Sequence, residues 1–453
     1  MKIRTFPEDF IVEEYLSIDA KSDGKYALFK FKKKGWSTFD LIASISSRFK
    51  IPAKEISIAG IKDRHAVTTS YLTIKKELAS KIIEISKNDE KIIPNIDIEF
   101  IGFTDKQIRS ENIKYNKFSI VARSIDEKDI PLILKRIEIV KNQGVPNYFD
   151  DQRFGSARHH EGFVAKSLIQ RDFINATKLL FITSKYDKKN EKISKSEAIK
   201  FLFDDSSNNS NKNLEDIIKK LPNELKRFFK VIFIKKSSLE NKDYSNIPKN
   251  YKEDIDEINR IYLNAFKSMD RRYLILLFHA YQSYLFNILL SKLLIELNKG
   301  RKFYSLSGEV QQYIFPEILD KDIFDLLTNL YLPIPSYNIS ENLNIKDYFT
   351  FKKDNFNIQL FINKILSEIE DFEKIKIADL KADFLKIKLN NEKRRALTLA
   401  KELKIYDFEN DDFFKGRKKL KLDFILEKGS YATMIIKGIF LQSKFGKAKE
   451  VLF

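Results

Sequence analysis

The sequence has 453 residues, 43% of them hydrophobic, which is enough to bury a sizeable core in two or more domains. Its 82 Lys and Arg residues against 64 Asp and Glu give a formal net charge of +18, and a surplus of that size favours a polyanionic partner such as nucleic acid. The sequence has no cysteine, which excludes disulfide frameworks and cysteine-ligated zinc sites. The charged N-terminus MKIRTFPEDF lacks the apolar run of a signal peptide, so we expect a cytoplasmic protein.

Residues 1–143 have the pattern of a mixed domain of strands and helices. Lys25–Lys32 alternates between polar and apolar residues, which predicts a strand, and Thr38 is the predicted N-cap of the helix that follows. Strands do not alternate regularly with helices and no glycine-rich phosphate loop occurs, which argues against a Rossmann-type nucleotide-binding sheet. The further predicted strands are Tyr71–Ile74, Ile96–Phe103 and Phe118–Ala122.

Residues 144–400 are mostly helical in pattern. The clearest helix begins near Asp270, from where apolar residues recur at spacings of three and four. Polar residues interrupt its most apolar part, Tyr273–Leu290, so we expect a buried helix and no membrane span. Asp204–Asn213 is a low-complexity run of Asp, Ser, Asn and Lys, a composition that cannot bury apolar surface and predicts a loop.

Residues 401–453 predict two further strands, at Lys419–Leu426 and at Tyr431–Ile436, with a turn at Gly429 between them. If these strands join the N-terminal sheet, residues 1–143 and 401–453 together form one split domain. Residues 144–400 are then a large insertion within that domain. This division is our prediction for the organisation of the chain.

The segment AGIKDRHAVTTS, at residues 59–70, brings four polar side chains together after a short apolar run. Lys62, Asp63, Arg64 and His65 place one carboxylate between two cations and beside an imidazole. Nearby positive charge keeps a carboxylate ionised, and an ionised carboxylate can act as a nucleophile or as a base. We expect His65 to point away from Asp63 if the segment is extended. On these residues alone, a surface turn with a local ion pair is the common alternative.

Residues 59–69, AGIKDRHAVTT, resemble the signature of the TruD family of tRNA pseudouridine synthases. Five other segments resemble family motifs in the same order along the chain, and together they span nearly its whole length. One of them, HAYQSYLFN, is typical of archaeal and eukaryotic members. These segments are FPEDFIVEE at 6–14, NKF at 116–118, GVPNYFDDQRFG at 144–155, HAYQSYLFN at 279–287 and GSYAT at 429–433.

The resemblance implies both a fold and an activity. The implied fold is α+β, a pseudouridine synthase fold with a mixed, largely antiparallel sheet and flanking helices, carrying a large inserted α/β TRUD domain. The implied activity is the isomerisation of uridine to pseudouridine in tRNA at position 13. It needs no cofactor and no metal. By the same resemblance, Asp63 is the catalytic carboxylate, which either attacks the nucleoside or abstracts a ribose proton.

The resemblance also implies which residues hold the target base. A uridine in folded tRNA must be flipped out, and flipped bases are held by aromatic stacking and by hydrogen bonds to their edges. Phe118 would supply a ring face and Asn116 an amide, and strand alternation places these two side chains on one face. Phe10 and Tyr431 would be further aromatic walls of the pocket. For each aromatic residue, packing in the core is the alternative.

Three cations are predicted to contact the RNA backbone. Arg64 suits a phosphate contact, although simple charge pairing is an equal alternative. Arg4 and Lys33 are expected to reach phosphates, with a solvated surface position as the default. We therefore expect tRNA as the partner. We also expect the protein to be a monomer and not to bind a membrane.

Two other classes of function remain open at this point. The first is a non-catalytic RNA-binding protein with a degenerate synthase fold, although the intact Lys62–Arg64 segment and the later Asn116 and Phe118 argue against decay. The second is an RNA hydrolase, which usually has paired carboxylates for metal binding. Asp150–Asp151 is the nearest such pair in the sequence.

Overall fold

The structure is a computed structural model that describes residues 1–87, 93–203, 211–240, 251–339, 358–389, 392–444, 446 and 448–452. The chain divides into two compact units. The first unit contains Met1–Asn147 and Leu397–Lys449, and the second contains Tyr148–Ala396 and Glu450–Phe453. The assignment of these units to a split synthase domain and an inserted domain remains a prediction.

The first unit is built on one large sheet of the described residues. The strands of this unit are β1 Phe10–Leu16, β2 Tyr26–Lys34, β3 Ile56–Ile58, β4 Val67–Lys75, β5 Ile96–Thr104, β6 Ile113–Ile125, β7 Val145–Pro146, β14 Leu397–Thr398, β15 Lys401–Ile405, β16 Glu409–Asn410 and β17 Lys418–Glu427. The strand order in the large sheet is β15-β17-β6-β1-β4-β2-β5. In addition, β3 pairs with β4 and β16 pairs with β17, while β7 pairs with β14 in a separate ladder.

The large sheet is mixed but mostly antiparallel. Strands β1 and β4 run parallel, whereas β1–β6, β6–β17, β2–β4 and β2–β5 are antiparallel pairs. The C-terminal strand β17 therefore joins the N-terminal strands directly. The observed fold is α+β with a largely antiparallel sheet, which confirms the predicted fold class.

The strand registers align two rows of side chains on one face of this sheet. Directly paired residues have their side chains on the same face, so each row runs across β2, β4, β1, β6 and β17. The first row is Lys33, Thr68, Val12, Phe118 and Phe424. The second row is Phe31, Ser70, Glu14, Asn116 and Leu426.

Helix α1, Thr38–Phe49, covers part of this face. Its residues Leu41 and Ile45 pack in one buried cluster with Phe29 and Phe31 of β2. The N-cap of α1 is Ser37, whose hydroxyl accepts a hydrogen bond from the backbone N–H of Asp40 at 3.0 Å. The prediction that Thr38 caps the helix was therefore wrong by one residue, because the Thr38 hydroxyl is bonded elsewhere.

Among its described residues, the first unit also contains the α-helices α2 Ser80–Lys87, α3 Ile130–Gln143 and α13 Ala432–Ile439. The predicted strand at Tyr431–Ile436 is wrong, because α13 occupies these residues. Its apolar run is buried nearly all round, and a short run of that kind does not distinguish a strand from a buried helix. Helix α13 packs on α3, where Arg136 Nε donates to the carbonyl of Gly438 at 3.1 Å.

The second unit is mainly helical with short antiparallel strands. Its helices are α4 Val164–Ile169, α5 Phe173–Phe181, α6 Lys189–Phe203, α7 Asn211–Lys220, α8 Asn223–Glu240, α9 Tyr251–Ser268, α10 Arg271–Leu297, α11 Lys321–Asn329 and α12 Ile358–Glu373. Its strands are β8 Lys302–Ser307, β9 Gln312–Pro316, β10 Tyr331–Pro333, β11 Lys381–Ala382, β12 Ile387–Lys388 and β13 Lys393–Arg395, and β18, Lys449–Leu452, pairs with β8.

Helix α10 is the predicted helix near Asp270. Asp270 is its N-cap and accepts a hydrogen bond from the backbone N–H of Arg272. By length and composition α10 could cross a membrane, but 67% of its most apolar window is buried inside the protein. It therefore matches the predicted buried helix. Most of the predicted loop at Asp204–Asn213 lies outside the described residues, and its last three residues begin α7.

Candidate active site

Asp63 lies in the loop between β3 and β4, at the N-terminal end of the strand that runs parallel to β1. Its carboxylate oxygen Oδ2 is 2.8 Å from Nη2 of Arg4, and its side chain is 34% exposed. Arg4 in turn lies over the ring of Phe10, 4.3 Å from its centroid. The cation that contacts Asp63 therefore comes from the N-terminal segment and is distant in sequence from the signature segment.

Lys33 and Thr38 fix the backbone of this loop through hydrogen bonds. The buried ammonium of Lys33 donates to the carbonyls of Asp63 and Trp36, both at 2.7 Å, and is 3.5 Å from the carbonyl of Lys62. Thr38 Oγ1 accepts from the N–H of Lys62 at 3.0 Å and donates to its carbonyl at 3.3 Å. These bonds fix the main chain at Lys62 and at Asp63.

Burial changes the acid–base behaviour of Lys33. The pKa of its ammonium is lowered to about 8, mainly by desolvation and to a smaller extent by the neighbouring charge of Lys62. The carboxylate of Asp63 opposes this effect. The prediction that Lys33 reaches a phosphate was wrong, since its side chain is fully buried and its protons are directed at backbone carbonyls.

Lys62 links the loop to the sheet below it. Its ammonium lies 2.6 Å from Glu14 Oε2 and donates to Asn116 Oδ1 at 2.6 Å. The other carboxylate oxygen of Glu14 accepts a hydrogen bond from Ser70 Oγ at 3.0 Å. Glu14 and Ser70 are both buried, so the ion pair is shielded from solvent and orients the Asn116 amide. The sequence predicted that Lys62 would help to keep Asp63 ionised, whereas its ion pair in the structure is with Glu14.

Phe10 and Phe118 meet in one aromatic cluster with Phe424. The rings of Phe10 and Phe118 are edge to face at 6.2 Å, and Phe118 stacks on Phe424 at 5.6 Å. Phe118 is 8% exposed. The structure thus brings Arg4, Phe10, Asn116 and Phe118 to the face that carries Asp63, with Phe118 largely enclosed.

The remaining predicted residues lie around this face. Tyr431 is the N-cap residue of α13, in the turn that follows β17, and Leu426 of β17 is paired with Asn116. Arg64 and His65 are exposed. Among the residues that the structure describes, Arg64 makes no ion pair, so its guanidinium is available to a ligand.

Sequence reasoning missed the inward roles of Glu14 and Lys33. A signal for both was present in the strand periodicity. Lys33 continues the alternation of Ala27, Phe29 and Phe31, and Glu14 continues that of Phe10 and Val12, so each charged side chain falls on a buried face. A charge in such a position needs a specific partner, which predicts a buried polar contact.

The rival pair Asp150–Asp151 lies in the second unit. Asp151 Oδ1 accepts from the backbone N–H of Glu309 at 2.8 Å and from the hydroxyl of Tyr313 at 2.9 Å. In the described part of the chain, no group of three or more His, Cys, Asp or Glu residues is arranged to hold a metal ion. Asp151 thus binds groups of its own unit, and this geometry does not favour the hydrolase reading.

The family relationship of the chain follows from its sequence as a whole. Residues 1–439 match the family described as TruD, tRNA pseudouridine synthase D. The chain therefore belongs to the TruD family of tRNA pseudouridine synthases. This confirms the predicted family and the predicted class of enzyme, an isomerase that acts on tRNA, and it does not favour a degenerate, non-catalytic protein.

Individual relatives match over nearly their whole length. The probable tRNA pseudouridine synthase D 2 of Methanocaldococcus jannaschii is 31% identical and covers 99% of this chain and 94% of its own. The tRNA pseudouridine synthase D of Aquifex aeolicus is 28% identical, covering 97% of this chain and 98% of its own. The crystal structure of a putative TruD from Methanosarcina mazei has a TM-score of 0.58 at 23% identity, over 96% of this chain and 92% of that one, and supports the fold.

Proposed function

We propose that the protein converts uridine to pseudouridine at position 13 of tRNA, with Asp63 as the catalytic carboxylate. The observation that carries this proposal is the placement of Asp63. It pairs with Arg4 on a loop whose main chain is fixed by Lys33, and the same loop contacts Asn116 through Lys62. These contacts hold the carboxylate of Asp63 in one position, and a catalytic group that is already positioned lowers the entropic cost of the reaction.

The reaction exchanges one glycosidic bond for another. The bond between C1′ and N1 of the base breaks, the bond between C1′ and C5 forms, the proton on C5 leaves and N1 gains a proton. Asp63 can serve either by attacking C1′ or by abstracting a ribose proton, and both roles require the ionised carboxylate. Arg4 balances that negative charge and fixes the direction of the carboxylate.

Asn116 is proposed to read the base. Its Oδ1 accepts from Lys62, which leaves its two amide N–H groups to face a ligand. Within the described residues, these N–H groups have no hydrogen-bond acceptor. They would therefore donate to O4 of uracil, where cytosine instead has an exocyclic amine that would repel them.

The aromatic and cationic residues are proposed to complete the pocket. Phe118, backed by Phe424 and flanked by Phe10, would form a rigid apolar wall against the base. Tyr431 would close the pocket from the turn after β17. Arg64, exposed and without an ion pair in the described residues, would contact a phosphate of the target nucleotide.

The direct test is to incubate the purified protein with unmodified tRNA and map pseudouridine by carbodiimide-dependent primer-extension stops. We expect a stop at position 13 with wild-type protein and none with Asp63→Asn, while tRNA binding by the variant is retained. Asp97→Asn, an exposed aspartate on β5, is the matched control and should remain active. Activity in Asp63→Asn would contradict the site, and an inactive wild-type protein would contradict the function.

We further propose that the protein acts in the cytoplasm as a monomer and does not bind a membrane. A monomer suits an enzyme whose described site residues all come from a single unit of one chain. Sedimentation at working concentration should give a single species of about 53.3 kDa. Recovery in the membrane fraction after cell lysis would contradict the proposed location.

A further inference from the structure

Two phenylalanines outside the pocket expose their rings side by side. Phe6 is 38% exposed and Phe413 is 57% exposed, and their rings meet edge to face at 5.1 Å. Phe414 lies against Phe413 at 4.9 Å. Exposed aromatic rings that lie together on a surface often mark an interaction site. We call the pair of exposed rings the Phe6–Phe413 platform.

The platform is held in place by a buried cluster of charges. Arg123 donates from Nε to Asp9 at 2.8 Å and from Nη1 to Asp411 at 3.2 Å. Asp9 accepts a hydrogen bond from the backbone N–H of Phe6, and Asp411 accepts one from that of Phe413. A single buried guanidinium therefore fixes the main chain beneath both rings. Rings held in this way lose little conformational freedom when they bind a ligand.

Positive charge borders the platform. The ammonium of Lys2 lies 4.9 Å from the ring centroid of Phe414. Lys415, the next residue, is exposed and makes no ion pair within the described ranges. The acidic residues nearby are engaged: Asp412 contacts Arg123 and Lys419, and Asp126 contacts Arg417. Aromatic rings flanked by exposed lysines match the pattern of single-stranded RNA binding, in which bases stack and phosphates meet cations.

The platform is connected to the candidate active site through a short segment. The N-terminal chain pairs with β6 at Lys2, opposite Arg123, and again at Phe10, opposite Ile120. Residues 3–9 bulge out between these two points, and they contain both Phe6 and Arg4, the cation of Asp63. An RNA strand bound at the platform would therefore contact the same short segment that carries the cation of Asp63.

We propose that the Phe6–Phe413 platform binds an unpaired nucleotide of the RNA substrate, other than the uridine that is modified, by stacking on its base. Lys2 and Lys415 contact the adjoining phosphates. This inference rests on the proposed function for the identity of the substrate. It assigns to the platform a second RNA-binding site on the first unit, which would hold another part of the strand while the target base is flipped out.

The test measures binding of a short fluorescent oligocytidylate by the full chain, compared with an oligomer of equal length and charge that lacks bases. Stacking contributes about 1–3 kcal/mol per base, so Phe413→Ala should weaken binding of the oligocytidylate by about 5- to 150-fold. It should leave binding of the abasic oligomer unchanged. Phe413→Trp should restore affinity, because its ring also stacks. The control is Phe372→Ala, which removes a 73% exposed ring from the second unit.

Two outcomes would overturn the proposal. The first is equal affinity of wild type and Phe413→Ala for the oligocytidylate. The second is a wild-type dimer that Phe413→Ala dissolves in sedimentation, which would make the platform a contact between two copies of the chain. Failure of the proposed function has a separate readout, since it shows as missing pseudouridine stops in tRNA, whatever the oligonucleotide binding.

Discussion

Lys33 shows how a single buried charge can hold in place the loop that carries Asp63, the proposed catalytic carboxylate. Its ammonium binds the backbone carbonyl of Trp36, just before α1, and lies near the carbonyls of Lys62 and Asp63 in the loop. Three carbonyl groups converge on one cation, so the loop cannot shift without leaving a buried charge unsolvated. The carboxylate of Asp63 is thus directed from the main chain as well as by its ion pair with Arg4.

Lys33→Met should disconnect this anchor while keeping the length of the side chain. We expect kcat to fall by about 10- to 100-fold, because small displacements of a catalytic group have effects of that size. The dissociation constant for tRNA should change little. Lys32→Met, at the exposed neighbouring position, is the control. Equal kcat values for the two variants would show that Lys33 does not position Asp63.

The same variant predicts a pH dependence of stability. The pKa of Lys33 is about 8 in the folded protein and near 10.5 in the unfolded chain. Between these pH values the unfolded chain keeps a proton that the folded protein has released, so the free energy of unfolding rises with pH. The melting temperature of wild type minus that of Lys33→Met should therefore increase between about pH 7 and about pH 9.5. A constant difference would argue against the lowered pKa.

At this scale the sequence predicts which residues come together better than which atoms pair. Asp63, Asn116 and Phe118 were chosen as site residues by their motifs, and the alternation of β6 places the last two on one face. The ion pair of Asp63 with Arg4 was not predictable from the neighbours of Asp63. Arg4 is nearly sixty residues away, and the parallel pairing of β1 with β4 helps to bring the two segments together.

At the scale of elements, the strands of the sheet were predicted more reliably than the helix α13. Alternating exposure on β2 and β17 leaves a two-residue period in the sequence. Helix α13 leaves no such period, because it is covered on most sides, including by Val145 next to Gly438. Burial on all sides removes the polar positions from which a helical period is recognised.

Gly144, which ends α3, tests how tightly the following turn is packed. Its φ of 66° and ψ of −152° fall in a region that is essentially restricted to glycine. A β-carbon there would overlap the carbonyl oxygen of Thr398 and lie 2.7 Å from Leu399 Cδ2. Gly144→Ala should therefore destabilise the protein by about 3 kcal/mol, measured by urea unfolding.

Gly155→Ala is the matched control for Gly144→Ala. A β-carbon at Gly155 would meet no heavy atom within 4 Å, so no clash is expected. Its stability should stay within about 0.5 kcal/mol of wild type. If Gly144→Ala were equally harmless, the contact between this turn and Thr398 would not be essential to the fold.

At the scale of the whole molecule, the net charge of +18 is the dominant property. Binding of tRNA should weaken steeply with salt, since each neutralised phosphate releases a counterion. Six such contacts would reduce affinity by about 10³-fold between about 50 and 200 mM salt. Filter binding measures this slope, and turnover at saturating tRNA should be much less sensitive. A flat salt dependence would show that the surplus of lysine is not directed at the RNA backbone.

The short ladder between β7 and β14 has a consequence for how such a protein could arise. Pro146 is paired with Leu397, and Val145 with Thr398, just where the chain departs from the first unit and where it comes back. In the topology of the large sheet, residues 148–396 take the place of a hairpin loop, and their number does not affect the order of the strands. A single gene insertion at a pre-existing hairpin would be enough to add residues 148–396, and later growth or trimming of the insert would leave the strand order around the carboxylate unchanged.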